Sequence, residues 1–158
     1  MTAISNINYY HYWGKANKEG DYHLLAYHCL DVAAVAEAYL NTHPHFLNAI
    51  AFSLGFTSEQ SKALILFMIT LHDLGKFSIC FQSKLPEILG QLLPSAKARD
   101  NTNYRHDELG QGIWLSDLVE LFIQEYGIWE KDPKYINKGF NSLMSASTGH
   151  HGQPTLST

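Results

Sequence analysis

Cysteine is scarce in this chain of 158 residues: Cys29 and Cys80 are the whole complement. Two are too few for a disulfide framework, and both sit among apolar neighbours, so a reducing, cytoplasmic setting is expected. Charge is thin as well. Only 16% of residues are charged, and 11 basic against 15 acidic side chains leave a net charge of −4. That balance argues against a polycationic wrapper of nucleic acid, though it is compatible with a local basic patch. The longest apolar run, Ala63 to Leu71 with one threonine inside, is far short of a membrane span. The opening Met1-Thr-Ala-Ile-Ser-Asn-Ile-Asn lacks the charged and apolar regions of a signal peptide. Internal repeats and low-complexity tracts are absent. So is any GxxxxGKS or GxxxxGKT phosphate loop.

What the chain does have is apolar material for a core, at 46% hydrophobic and 13% aromatic, which excludes general disorder and fits one domain. Proline and glycine divide it into helical blocks. The first is expected from about Asp21 to Asn41, with Asp21 as N-cap and Leu24, His28, Val32, Val35 and Tyr39 at three-to-four spacing. The second opens at Thr57-Ser-Glu-Gln60, which fits a capping box, and runs through Leu71. It is apolar nearly all round, as a central helix would be, and Gly75 is a reasonable stop. Short helices are expected over Phe77–Lys84, ended by Pro86, and Glu87–Leu93, ended by Pro94. Ser95–Arg105 reads as a loop, His106–Tyr126 as a long helix, Trp129–Gly139 as a connector and Phe140–Thr148 as the last helix. No strand shows convincing alternation, so the expected class is all-α.

Nine histidines carry most of the chemistry. His72-Asp73-Leu74-Gly75-Lys76 follows the most apolar helix, where a buried His and Asp are costly unless something satisfies them. A divalent metal does so through imidazole nitrogen and carboxylate oxygen; a hydrogen-bonded pair at a helix end does so without one. Gly149-His150-His151-Gly152 places two histidines in a glycine-flanked turn, where they can converge or simply face water. His28 lies on the apolar face of its helix, as ligand or as a satisfied core residue. His106 precedes Asp107 and Glu108, a sequence that also suits plain helix capping. His11, His23, His43 and His45 read as surface or packing residues.

Taken together, the order H…HD…H…HH is similar to that of the HD superfamily of metal-dependent phosphohydrolases. Flanking residues narrow the resemblance. His11-Tyr-Trp-Gly-Lys15, His23-Leu-Leu-Ala-Tyr-His28-Cys-Leu-Asp-Val-Ala-Ala-Val-Ala36, Leu71-His-Asp-Leu-Gly-Lys-Phe77, Phe81-Gln82 and Thr148-Gly-His-His-Gly152 carry it. They resemble the N-terminal HD nuclease domain of the CRISPR-associated helicase-nuclease of type I systems, closest to the type I-E kind. The similarity runs in register from about His11 to Gly152.

The resemblance implies an all-α HD domain over residues 1–158 that holds two divalent transition metals (iron, cobalt, nickel, manganese or zinc). By carry-over His28, His72 and Asp73 hold the first, and Asp73 bridges to a second held by His106, His150 and His151. Asp73 and Lys76 are the catalytic candidates, Lys76 as a cation toward phosphate. The implied reaction is hydrolysis of single-stranded DNA in antiviral defence, in the cytoplasm, alongside the CRISPR surveillance complex and its large subunit. Lys15, Lys18, Lys84, Lys97, Arg99 and Arg105 are DNA-contact candidates by charge alone. The family continues past the His-His motif with helices that supply a further metal-binding Asp, and with a helicase. By that measure the present chain is truncated at its C-terminus and metal affinity at the first position is reduced. A non-catalytic relative that docks on the surveillance complex is the alternative reading, and a general HD nucleotide phosphohydrolase a weaker one.

Overall fold

The computed structural model describes residues 9–100, 103–119, 121, 133–149 and 151–152. Helices dominate it, as expected, but the long helices are preceded by a small antiparallel hairpin, β1 (Trp13–Ala16) and β2 (Tyr22–Leu24). The hairpin corrects the reading of Asp21 as a helix cap. The Asp21 amide donates to Asn17 Oδ1 and its carboxylate accepts from Asn17 Nδ2, both at 2.9 Å. Gly20 adopts a φ of 91°, a conformation that costs glycine nothing. These groups turn the chain back, and the helix starts only at Leu25. Strands of four and three residues are too short for alternation to register in the sequence.

The helices that follow are α1 (Leu25–Thr42), α2 (Pro44–Leu54) and α3 (Ser58–Thr70), then a 3₁₀ turn (Leu74–Phe77). After these come α4 (Ile79–Gln82), α5 (Pro86–Leu92), α6 (His106–Ile113) with a wider π turn over Trp114–Leu118, and α7 (Pro133–Thr148). The capping box is present. Thr57 Oγ1 accepts from the Gln60 amide at 3.1 Å, and Gln60 Oε1 accepts from the Thr57 amide at 3.0 Å. Helix α3 packs against α1, α2 and α7, with Met68 and Ser61 buried and most of its other apolar side chains partly covered.

Proline marks beginnings more than ends. Pro44 opens α2, a helix not among the expected blocks, and Pro86 opens α5 instead of ending the segment before it. Pro133 opens α7 within the stretch read as a connector. The reason is common to all three: proline's fixed φ and missing N–H suit the first helical position, where the N–H has no partner within the helix. The expected block from His106 extends to Tyr126, beyond the described residues. Among the described residues no helix is long and apolar enough to cross a membrane.

Two apolar clusters flank the chemistry. Leu74, Trp114, Val119 and Met144 form one, with Leu71, Phe77 and Phe140 packed on it; Trp13, Phe81 and Ile88 form the other. Between them the 3₁₀ turn lies directly on α6. A Cβ at Gly75 would sit 1.8 Å from the His106 carbonyl oxygen and 2.5 Å from the Gly110 nitrogen. Gly75 is therefore a close-approach residue and not the helix stop expected of it. Its lack of a side chain brings α6 against the His72–Lys76 segment.

Candidate metal centre

The centre is built around one carboxylate. Asp73 follows the end of α3 and its side chain is 1% exposed. Its Oδ2 lies 3.0 Å from His28 Nε2 on α1 and 3.2 Å from His72 Nε2. Its Oδ1 lies 3.3 Å from His106 Nε2 at the start of α6. His151 Nε2, just past α7, is 3.0 Å from His106 Nε2. His28 and His72, distant in sequence, thus meet at one oxygen atom, half-buried at 14% and 13% exposure, with ring centroids 5.5 Å apart. His150 lies outside the described residues.

Lys76 is buried as well. Its Nζ is 2.6 Å from Asp73 Oδ2 and donates to the Gly14 carbonyl at 3.2 Å. As found, this ammonium faces the carboxylate and the hairpin backbone. Burial by itself would raise the Asp73 pKa, but hydrogen bonds from His106, His72 and Lys76 outweigh it and hold the carboxyl well below its usual range. Burial lowers the His28 pKa; the Asp73 charge pulls the other way, while Lys76, His72 and Lys15 reinforce the lowering. A neutral imidazole is the ligand form.

The donor set fits a metal ion. One ligand atom each from His28, His72 and Asp73 lie within 4.8 Å of one another, and two imidazole nitrogens with a carboxylate suit first-row transition metals. His72 Nδ1 donates to the Ile69 carbonyl at 2.7 Å, so the ring nitrogen that would ligate a metal is Nε2, which faces Asp73. Orientation of a ligating imidazole through its other nitrogen is the usual support for such a site. His106 and His151 extend the donors on the far side of the carboxylate.

The hairpin is tied to this centre by Gln82. Its carboxamide accepts from the Trp13 amide at 3.1 Å and donates to the carbonyls of Trp13 at 2.9 Å and Lys76 at 2.7 Å. Asp107, read from sequence only as a capping residue, is buried, accepts from Arg105 Nε at 3.0 Å and also pairs with the Arg105 terminal nitrogen. Nothing in an Arg-His-Asp string announces that pairing. Beside His106 and His151 opens a pocket of about 560 Å³ that Lys84 and Arg105 also line. Two of the basic residues suggested by charge alone therefore face the centre. Lys15 stands on β1 opposite His23, whereas Lys18, Lys97 and Arg99 are simply exposed.

Helices from four parts of the chain, converging imidazoles on a buried His-Asp pair, define a helical HD domain. The chain belongs to the family described as Cas3, HD domain, which it matches over residues 13–158. It is 33% identical over 153 residues to the CRISPR-associated endonuclease/helicase Cas3 of Escherichia coli (strain K12), an alignment covering 90% of this chain and 17% of that protein. It is 29% identical over 147 residues to the protein of the same name from Thermus thermophilus, covering 90% of this chain and 14% of the relative. The chain thus spans less than a fifth of the length of these relatives. No solved structure matches it significantly.

Proposed function

We propose that this domain hydrolyses the phosphodiester bonds of single-stranded DNA in CRISPR antiviral defence, as the nuclease part of a longer helicase-nuclease acting with the surveillance complex in the cytoplasm. The observation that carries the reading is the convergence of His28, His72 and His106, all through Nε2, on the two oxygens of buried Asp73. His28, His72 and Asp73 would hold one divalent transition metal, and Asp73, His106, His150 and His151 a second. When bound, such ions supply a Lewis acid and a water acidic enough to ionise near neutral pH.

The protein's own groups do the rest. The Ile69 carbonyl holds His72 in its ligating tautomer. Lys76 balances the Asp73 charge and keeps that carboxylate in place, so we assign it a role through Asp73 before any direct contact with phosphate. Lys84 and Arg105, at the pocket beside His106, are placed to receive backbone phosphates, Lys84 as a point charge and Arg105 as a fork already fixed by Asp107.

The test is cleavage of a single-stranded oligodeoxynucleotide by the chain loaded in turn with manganese, cobalt, nickel, iron or zinc. Cleavage is expected with at least one metal and none with Asp73→Ala, since that substitution removes the anion both sets share. Equal cleavage by Asp73→Ala and the parent chain would rule out this centre as the source of activity.

A further inference from the structure

A row of aromatic rings leads from the surface into the centre, and nothing in the proposed reaction uses its outer members. It begins in the 3₁₀ turn Tyr9–His11 ahead of β1. The Tyr9 and Tyr10 ring centroids are 4.2 Å apart, and Tyr10 lies 5.7 Å from Tyr27 in the first turn of α1. Tyr27 stacks on His23 of β2 at 6.4 Å with 15° between the planes. His23 lies 6.3 Å from His28, which lies 5.5 Å from His72. The outer rings stand in water, Tyr9 at 55% and Tyr27 at 47% exposure, and the inner two end on Asp73.

Single exposed aromatics are ordinary on protein surfaces. A contiguous row that ends on two imidazoles whose Nε2 atoms meet at a buried carboxylate oxygen is a different feature. Exposed π-faces at successive positions bind single strands by stacking, which accepts any base because every base has such a face. Paired bases in a duplex are already stacked on each other and cannot use them. Lys15, paired with His23 in the hairpin register, adds a cation beside the row for the backbone. Asp31 Oδ2 lies 3.5 Å from His23 Nε2, at the edge of that ring, with both side chains exposed.

We propose that Tyr10, Tyr27 and His23 form a stacking platform that carries the bases of single-stranded DNA and delivers a phosphodiester to the His28–Asp73 side of the centre. The platform rests on the nuclease reading for its purpose but not for its test. The test is fluorescence anisotropy of a labelled single-stranded oligothymidylate with the full chain in EDTA. Tyr27→Ala is expected to weaken binding about tenfold, within the range of losing one stacked base. Tyr27→Phe, which keeps the ring, should bind within about twofold of the parent, and a duplex of equal length should be insensitive to Tyr27→Ala. Binding unchanged in Tyr27→Ala would overturn the platform and leave the row as a face for a protein partner. Equal losses in the Phe and Ala variants would also overturn it, because a hydroxyl contact and not stacking would then be responsible. Hydrolysis of methyl p-nitrophenyl phosphate by the metal-loaded parent chain judges the nuclease centre separately. If the parent binds the strand through Tyr27 yet leaves that ester intact, the platform stands and the nuclease reading falls.

Discussion

Gly75 shows how little space the centre leaves for change. Its amide region and the start of α6 are in backbone contact, so a methyl group has nowhere to go: the nearest atom, at 1.8 Å, is the His106 carbonyl oxygen, which cannot swing aside like a side chain. Gly75→Ala must push α6 away and carry His106 with it. A destabilisation of about 3 kcal/mol is expected, at the upper end for overpacking a tight interior. Urea denaturation of the metal-free chain checks this, and a variant as stable as the parent would mean that the two backbones do not approach so closely. The sequence offered glycine after His-Asp-Leu and suggested a helix stop; only the packing of a segment distant in sequence reveals the closer constraint. Asp73 contrasts with it. Adjacent His and Asp after a strongly apolar helix already pointed to a buried, partnered carboxylate, because no isolated charge survives there.

Among the elements, α3 was the most legible. Its capping box and apolar run are local signals, and local signals survive tertiary packing. The β1–β2 hairpin was not legible, since it is held from outside itself. Gln82 makes two hydrogen bonds to the Trp13 backbone and a third to the Lys76 carbonyl in the 3₁₀ turn, and its side chain is fully buried. Removing the carboxamide would strand one buried donor and two buried acceptors. Each costs about 1–3 kcal/mol when unsatisfied, so Gln82→Ala is expected to lose about 3 kcal/mol or more. Hydrogen exchange gives the specific reading: the Trp13 amide should exchange much faster in Gln82→Ala while the amides of α3 fall only by the global loss. Protection of Trp13 equal to that of the parent would show that Gln82 does not anchor the hairpin. The starts of α2, α5 and α7 were misread for one reason. Proline ends a helix in sequence logic, but at the first helical position it begins one.

At the scale of the whole molecule, the site draws on β1 through Gly14, on α1, on the turn after α3, on α6 and on the turn after α7. The sequence held the ligand types and the order in which they occur, and its resemblance to the HD nuclease family named His28, His72, Asp73, His106 and His151 as partners. Their convergence was implied by that resemblance, but what produces it was not legible. The convergence depends on the central position of α3, the bare backbone at Gly75 and the hairpin clamp at Gln82, each of which is a contact across long stretches of chain. The ring row through Tyr27 and His23 was equally hidden, because His23 by itself is an exposed histidine of no distinction. The central claim, that these side chains form one metal-binding unit organised by Asp73, is tested most directly by calorimetric titration of the chain with manganese or cobalt. The parent should bind, His28→Ala and His106→Ala should each bind more weakly, and Asp73→Ala should not bind measurably. Asp73→Ala taking up metal with the parent's affinity would contradict the account.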